Sequence, residues 1–167
     1  EIKRQFSIST TMVPIEYEGA EGKIKINLLD TPGYFDFVGE VEEAVSAADA
    51  AIIVVNCKAG IEVGTEKAWD LCEEYKLPRI IFVTNMDDDH ASFRELILKL
   101  EKKFGRKIAP FQVPIRENEK FVGFVNAVKM QGRRFTNLSD YEDCEIPEYT
   151  KKNLGIIRDA LIEAVAE

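Results

Sequence analysis

Polar and apolar residues alternate in the first part of the chain. Residues 6–17 are rich in Thr, Ile, Val and Phe, and residues 23–27 alternate before an apolar pair. The segment 18–22 between them carries two glycines. This pattern predicts a β-hairpin with one solvated face. Pro14 favours a position at a sheet edge for the first strand.

The middle of the chain changes to a different pattern. Residues 51–55 and 80–83 are short, continuous apolar runs, which are typical of strands covered on both faces. Apolar residues at helical spacing occur over 38–48, 68–72 and 93–104. Strands that alternate with helices of this length indicate βαβ units and a parallel sheet.

The composition shifts again after residue 107. The pattern predicts three strands and a closing helix, over residues 108–115, 121–128, 129–136 and 148–166. An acidic segment, 138–148, contains no basic residue. We therefore predict an α/β part over residues 1–107 and a smaller α+β appendage over 108–167.

Charge and cysteine content narrow the function classes. The 167 residues include 22 Lys and Arg against 30 Asp and Glu, a net charge of −8. This balance argues against a direct nucleic-acid-binding face. The three cysteines form neither a disulfide framework nor a metal knuckle, and no apolar run approaches a membrane span. We expect a cytoplasmic protein without a membrane partner.

The strongest motif is Asp30-Thr31-Pro32-Gly33, which directly follows the second predicted strand. An aspartate there lies where α/β sheets place a ligand crevice, and its carboxylate can hold Mg²⁺ through water. The N–H of Gly33 can approach a terminal phosphate because no side chain blocks it. Taken alone, the motif is explained more simply as a turn after a strand.

A second polar motif, Thr84-Asn85-Met86-Asp87, also follows a buried strand. The Asp87 carboxylate can accept two N–H groups from the edge of a guanine base. The alternative is helix capping, and we expect Asp88 or Asp89 to cap the helix that starts near residue 91. Acidic signals at two successive strand ends are hard to obtain from capping alone, so together they favour a nucleotide site.

The order of these motifs resembles a known family. The run 29–41, Leu-Asp-Thr-Pro-Gly-Tyr-Phe-Asp-Phe-Val-Gly-Glu-Val, resembles the second switch of translational GTPases, above all elongation factor G. Residues 4–8, Arg-Gln-Phe-Ser-Ile, resemble the end of their first switch. The appendage resembles the subdomain that elongation factor G inserts in its GTPase domain, through residues 112–115, 128–130 and 141–143.

The resemblance implies a truncated P-loop-GTPase-type mixed sheet flanked by helices, with a small α+β inserted subdomain. It also implies a segment of a GTP-hydrolysing elongation factor that binds GTP or GDP with Mg²⁺ and acts on the ribosome. Ser7 and Asp30 would ligate the metal, and Tyr34 and Gly33 would serve catalysis. The implied nucleotide-binding residues are Asp30, Thr31, Pro32, Gly33, Thr84, Asn85 and Asp87.

Several positions depart from the family pattern. The sequence contains no G-x-x-x-x-G-K-[ST] phosphate loop. We therefore expect a middle segment of a longer protein, which by itself binds GTP weakly or not at all and is inactive. Tyr34 replaces the histidine that orients the attacking water, Asn85 replaces a lysine, and Ser7 replaces a threonine. These changes leave two alternatives open: a ribosome-associated, nucleotide-sensing module with little hydrolysis, or a ribosome-protection factor.

Two partner surfaces are also expected. The resemblance implies that the acidic segment, with Glu142 and Asp143, faces the ribosomal stalk protein; the alternative is a solvated loop. In the family, the strand that carries the phosphate loop lies between the strands at 24–29 and 51–55. Because that strand is missing, each of these two strands is expected to expose an unpaired, apolar edge. These edges either pair directly or recruit a second copy of the chain, and we favour self-association.

Overall fold

The computed structural model describes residues 6–19, 22–88, 90–105, 107–118, 120–137 and 140–166. In chain order the elements are β1 (Thr11–Gly19), β2 (Gly22–Asp30), a short 3-10 helix (Phe35–Phe37), α1 (Val38–Ala47), β3 (Ala51–Asn56), α2 (Val63–Glu74), β4 (Arg79–Thr84), α3 (Phe93–Phe104), β5 (Gln112–Glu117), β6 (Lys120–Asn126), β7 (Gln131–Phe135), β8 (Tyr141–Cys144) and α4 (Glu148–Ala166). This mixed α/β architecture confirms the predicted fold class.

The elements divide into two compact units. The first unit consists of Glu1–Val55 and Glu62–Phe82, and the second of Asn56–Ile61 and Val83–Glu167. The predicted domain division at residue 107 stays a prediction. No helix in the described part of the chain combines the length and the apolar character that crossing a bilayer requires.

In the first unit, β1 and β2 form the predicted antiparallel hairpin, in which Ile15 lies opposite Ile26 and Gly19 opposite Gly22. The first strand begins at Thr11 rather than at residue 6. One face carries six apolar side chains that are all exposed: Val13, Ile15, Tyr17, Ile24, Ile26 and Leu28. The expectation of a single solvated face is therefore wrong within the described residues, since this apolar face is uncovered as well.

The strands β3 and β4 form a parallel pair. The N–H of Ala51 donates to the carbonyl of Pro78, and six residues later the N–H of Cys57 donates to the carbonyl of Thr84. This constant offset is the hydrogen-bond progression of strands running in the same direction. The pairing confirms the parallel sheet that the alternating strands and helices predicted.

In the part of the chain that the structure describes, one face of this strand pair is covered and the other is exposed. Ile53 and Val55 are 4% and 1% exposed, whereas Ile52 and Val54 are 59% and 61% exposed. The prediction that both faces are covered is therefore wrong for the described residues. A continuous apolar run does not reveal, by itself, whether another element covers its second face.

The two predicted sheet edges do not pair with each other. Within the described residues, β2 is hydrogen-bonded to β1 and β3 to β4, in two separate sheets. Direct closure of β2 onto β3 is therefore absent from this part of the chain. Self-association through these edges stays a prediction.

The second unit contains a four-stranded antiparallel sheet in the order β5-β6-β7-β8. The helix α4 contributes Leu154 to a buried cluster with Ile115, Val125 and Ala127. The strand β8, at Tyr141–Cys144, was not predicted, because an acidic run lacks the β-branched and aromatic content typical of strands.

A close backbone approach between β6 and β7 requires glycine at position 123. A Cβ atom on Gly123 would overlap the carbonyl oxygen of Arg133 and would lie 2.9 Å from the Cα atom of Arg134. Both obstacles are backbone atoms of a hydrogen-bonded strand, so neither can move without disturbing the sheet.

We therefore expect Gly123→Ala to lower the free energy of unfolding by about 1–3 kcal/mol, the typical cost of overpacking. Gly155→Ala is the matched control, because its added Cβ atom on α4 meets no atom of the described residues within 4 Å, beyond the adjoining backbone of its own helix. The control should raise stability by about 0.5–1 kcal/mol, since alanine favours the helix. Urea unfolding of the two variants measures both effects; equal stabilities would contradict the close approach.

Candidate functional site

The first group of predicted site residues lies in the first unit, where β2 ends. Asp30 is the last residue of β2, opposite Thr11, and its side chain is exposed. Pro32 is buried and Gly33 is exposed. Apart from its chain neighbours, no atom of the described residues lies within 4 Å of the Cβ position on Gly33. The backbone at Gly33 is therefore open to approach by a ligand.

Tyr34 is 57% exposed, but its ring has a defined neighbour. The rings of Phe6 and Tyr34 lie 4.7 Å apart between centroids and are tilted by 51°. The carbonyl of Tyr34 accepts the N–H of Phe37 at 3.1 Å, at the short helix that follows. Tilted aromatic pairs at this separation are attractive, so Phe6 restricts the position of the phenol ring.

Hydrogen bonds also join the segment that carries Phe6 to the segment that carries Tyr34. The N–H of Thr10 donates to Oε2 of Glu40 at 2.7 Å, and its hydroxyl donates to the Glu40 carbonyl at 3.0 Å. Ser7 is half-buried and lies in the chain between Phe6 and Thr10. The chain on either side of the predicted metal ligand is therefore held against the segment that carries Tyr34.

The second group of predicted residues lies in the second unit, on the loop 84–88 after β4, here called the β4 loop. Thr84 ends the strand, and its carbonyl accepts the N–H of Cys57 at 3.0 Å. Asn85 adopts a left-handed conformation with φ of 54°, which asparagine tolerates better than most residues. Its Oδ1 accepts Nδ2 of Asn56 at 3.0 Å. Asn85 is therefore fixed to the residue that ends β3.

Asp88 does not cap the following helix, so that prediction is wrong for Asp88; Asp89 lies outside the described residues. Ser92 is the N-cap of α3, and its hydroxyl accepts the N–H of Glu95 at 3.4 Å. Asp88 instead accepts the N–H of His90 at 2.9 Å and pairs with Lys58 at 3.2 Å. These two bonds, the backbone bond first, lower the pKa of Asp88.

Asp87 differs from its neighbours in the β4 loop. The Met86 carbonyl accepts the Arg116 guanidinium at 2.5 Å, while Asn85 and Asp88 have the partners given above. Asp87 is exposed, and no donor from the described residues bonds to its carboxylate. Among the residues that the structure describes, the loop therefore presents one unbonded carboxylate, at Asp87, between neighbours that are held in place.

Sequence reasoning missed the residues that hold this loop, namely Asn56, Lys58 and Arg116. A polar residue at the end of a buried strand was the signal that singled out Asp30 and Asp87. The same signal applies to Asn56 and could have found it. No sequence pattern connects Arg116 with Met86, because their contact depends on the tertiary fold.

The acidic segment is a strand over part of its length. Glu142 and Asp143 are exposed on β8, and Glu142 lies opposite Arg134. Asp143 accepts Nε2 of Gln131 at 2.7 Å and lies 3.8 Å from the guanidinium of Arg133. These two residues therefore lie on a strand rather than in a loop, while their side chains are exposed to solvent. The negative charge of Asp143 is partly balanced by Arg133 of β7, whereas Arg134 of β7 pairs with Glu117.

Comparisons with known proteins agree with the motif order. The profile of the Elongation factor Tu GTP binding domain matches residues 1–165. An "Elongation factor G-like protein" of Thermotoga maritima is 34% identical over 161 residues, which are 96% of this chain and 22% of that protein. A crystal structure of a protein from Thermus thermophilus superposes with a TM-score of 0.88 at 32% identity, and the match covers 98% of this chain and 24% of that one.

The chain thus spans about a quarter of the length of the relatives that it matches. The family profile covers both the motifs that follow the strands and the appended sheet. The chain belongs to the family of the Elongation factor Tu GTP binding domain and is similar, within that family, to elongation factor G-like proteins.

Proposed function

We propose that this chain is part of a GTP-binding, GTP-hydrolysing translation factor of the elongation factor G type that acts on the ribosome. The family membership supports guanine-nucleotide binding. The single observation that carries the proposal is that the Asp87 carboxylate is exposed while its neighbours in the β4 loop are held by hydrogen bonds. A carboxylate in that setting suits the two adjacent N–H donors of a guanine edge.

The phosphate side of the site is proposed to use Asp30, Gly33 and Ser7, with Thr31 and Pro32 shaping the backbone. Ser7 and Asp30 both offer oxygen atoms, which Mg²⁺ prefers. The described residues form no cluster of three or more His, Cys, Asp or Glu side chains. A few protein oxygens fit Mg²⁺, because it retains water and takes phosphate oxygens as further ligands. The metal would neutralise phosphate charge.

The base-reading role of Asp87 is tested by Asp87→Asn in the full-length protein that carries this sequence. The amide replaces one acceptor with a donor, so it should bind xanthine, which has a carbonyl in place of the amino group, better than guanine. We expect GDP affinity to fall at least tenfold, as expected from the loss of a hydrogen bond to a charged group, while XDP affinity rises.

Asp70→Asn is the matched control, because Asp70 is exposed on α2. Fluorescence titration with both diphosphates measures the preference. An unchanged preference for GDP in Asp87→Asn would contradict the assignment of Asp87.

Tyr34 is proposed to place the attacking water. Its phenol hydroxyl can hydrogen-bond a water, and in this role it orients the water rather than accepting its proton. The packing of Phe6 against its ring at 4.7 Å supports a fixed position. Because a phenol is a weaker general base than the imidazole it replaces in the family pattern, the alternative of a nucleotide-sensing module with little hydrolysis also has support from this residue.

Tyr34→Phe separates these two functions. It removes the hydroxyl but keeps the ring that contacts Phe6. If Tyr34 places water, ribosome-stimulated turnover should fall roughly tenfold to a hundredfold at unchanged GTP affinity. Tyr75→Phe, on an exposed tyrosine after α2, is the control. Turnover equal to that of the unaltered protein would remove Tyr34 from the mechanism and favour the sensing module.

The strand β8 is proposed to dock on the ribosomal stalk protein. Glu142 has no ion pair within the described residues, whereas Asp143 lies 3.8 Å from Arg133. Glu142 is therefore the better placed of the two to attract a basic partner. Because both side chains are exposed, the attraction should weaken as salt increases.

Reversing both charges, with Glu142→Lys and Asp143→Lys, should weaken stalk binding by about tenfold or more at low salt and less at high salt. The control reverses two exposed charges on α4, with Asp159→Lys and Glu163→Lys. Calorimetric titration of the full-length protein with the isolated stalk protein measures both. Equal affinities for the two double variants at low salt would reject β8 as the docking site.

A further inference from the structure

Arg116 connects the appended sheet with the β4 loop inside the second unit. The pairing of β5 with β6 shifts its register between Ile115 and Arg116. At this irregularity the Arg116 guanidinium donates to the Met86 carbonyl at 2.5 Å. A hydrogen bond from a charged donor is stronger than one between neutral groups.

The backbone of Arg116 is itself held by α4. Its N–H donates to the hydroxyl of Tyr149 at 3.2 Å, and the same hydroxyl donates to the Arg116 carbonyl at 3.3 Å. One phenol thus satisfies both backbone groups of Arg116 where the ladder is irregular. The contacts run without a break from α4 through Arg116 to Met86.

We propose that Arg116 is a positioning residue for guanine recognition, and that Tyr149 fixes Arg116 in that role. The inference rests on the proposed function of Asp87 as the base-reading carboxylate. It adds that the appended sheet and α4 determine how well Asp87 distinguishes guanine from other purines.

The geometry of the peptide bond provides the physical reason. The Met86 carbonyl and the Asp87 N–H belong to one planar peptide unit. A bond that orients the carbonyl therefore also orients the backbone that enters Asp87. Asn56 fixes Asn85 on one side, at 3.0 Å, and Lys58 fixes Asp88 on the other, at 3.2 Å. Arg116 holds the remaining peptide, directly before the carboxylate.

The charge of Arg116 also acts on the neighbouring loop. Burial raises the pKa of the Cys57 thiol, and the positive charge of Arg116 opposes that rise. Arg116 is thus close to both loops that surround the candidate base site, at Cys57 and at Met86. Loss of its side chain would remove a positive charge and a hydrogen bond together.

The first test measures the loop itself in the 167-residue chain, by hydrogen exchange of backbone amides. The Asp88 N–H donates to the Asn85 carbonyl at 3.3 Å and reports on the β4 loop. In Arg116→Met and in Tyr149→Phe, which keeps the ring, this amide should exchange about tenfold faster, as expected from a lost charge-assisted bond. Arg158→Met, on an exposed arginine of α4, is the control and should leave it unchanged.

The second test measures base selectivity in the full-length protein, as the ratio of affinities for GDP and IDP. The hypoxanthine of IDP lacks the 2-amino group, so a correctly placed Asp87 should prefer GDP. Arg116→Met should lower that ratio about tenfold, and Arg116→Lys, which keeps a charged donor, should restore part of it. A general loss of stability lowers both affinities but leaves their ratio unchanged.

The outcomes separate the two claims. An unchanged exchange rate of the Asp88 amide in both Arg116→Met and Tyr149→Phe would overturn the claim that Tyr149 and Arg116 hold the β4 loop. Faster exchange with an unchanged GDP to IDP ratio would overturn the role of Arg116 in recognition. If the unaltered protein shows no preference for GDP, the proposed function fails, and the exchange result still decides whether Arg116 holds the loop.

Discussion

The parallel pairing of β3 and β4 is the constraint on which the candidate base site depends. The hydrogen bond from Cys57 to the Thr84 carbonyl, at 3.0 Å, continues the ladder one residue past the end of β3. The two strands therefore end side by side. The side-chain amide of Asn56, at the end of β3, can thus donate to that of Asn85, just after β4, at 3.0 Å. A shift in register would separate these amides, and the loop that carries Asp87 would lose its first support.

Burial within that strand pair explains why the register is well specified. Val55 and Ile53 face the interior and are 1% and 4% exposed, and a slip by one residue would place them on the outer face. The outer face is apolar too, with Ile52 and Val54 exposed. The register is therefore set by the packing of the covered face and by the polar residues at the strand ends.

Periodicity in the sequence was sufficient to predict the helices and most of the strands. The apolar spacing over 93–104 matches α3, and the segment 148–166 matches α4, because each buries one side against its unit. The strand β8 escaped because its exposed acidic side chains follow no apolar alternation. The helix cap was misassigned to Asp88 for a related reason: Ser92 offers the same chemistry nearer the helix, and a partner for Asp88 exists only in three dimensions.

The site residues also divide into those that a local sequence pattern reveals and those that depend on contacts in the folded chain. Asp30 and Asp87 could be chosen because a carboxylate at the end of a strand is a local signal. Arg116 could not, since its contact with Met86 depends on an irregularity in the pairing of β5 with β6 and on Tyr149 from α4. Long-range polar contacts of this kind are encoded by the fold as a whole rather than by any local pattern.

The two groups of site residues are held by different kinds of interaction. Around Asp87, one hydrogen bond to the Met86 carbonyl and two side-chain contacts, at Asn85 and Asp88, hold the neighbouring residues and leave one carboxylate unbonded within the described residues. Such preorganisation suits recognition of a rigid base, because little ordering is left for binding to impose.

Tyr34 is held through a single described ring contact with Phe6 and is 57% exposed. A ring contact fixes the position of the phenol but is less directional than a hydrogen bond. The neighbours of Asp87 are therefore held by directional polar contacts, whereas the Tyr34 ring is held by ring packing.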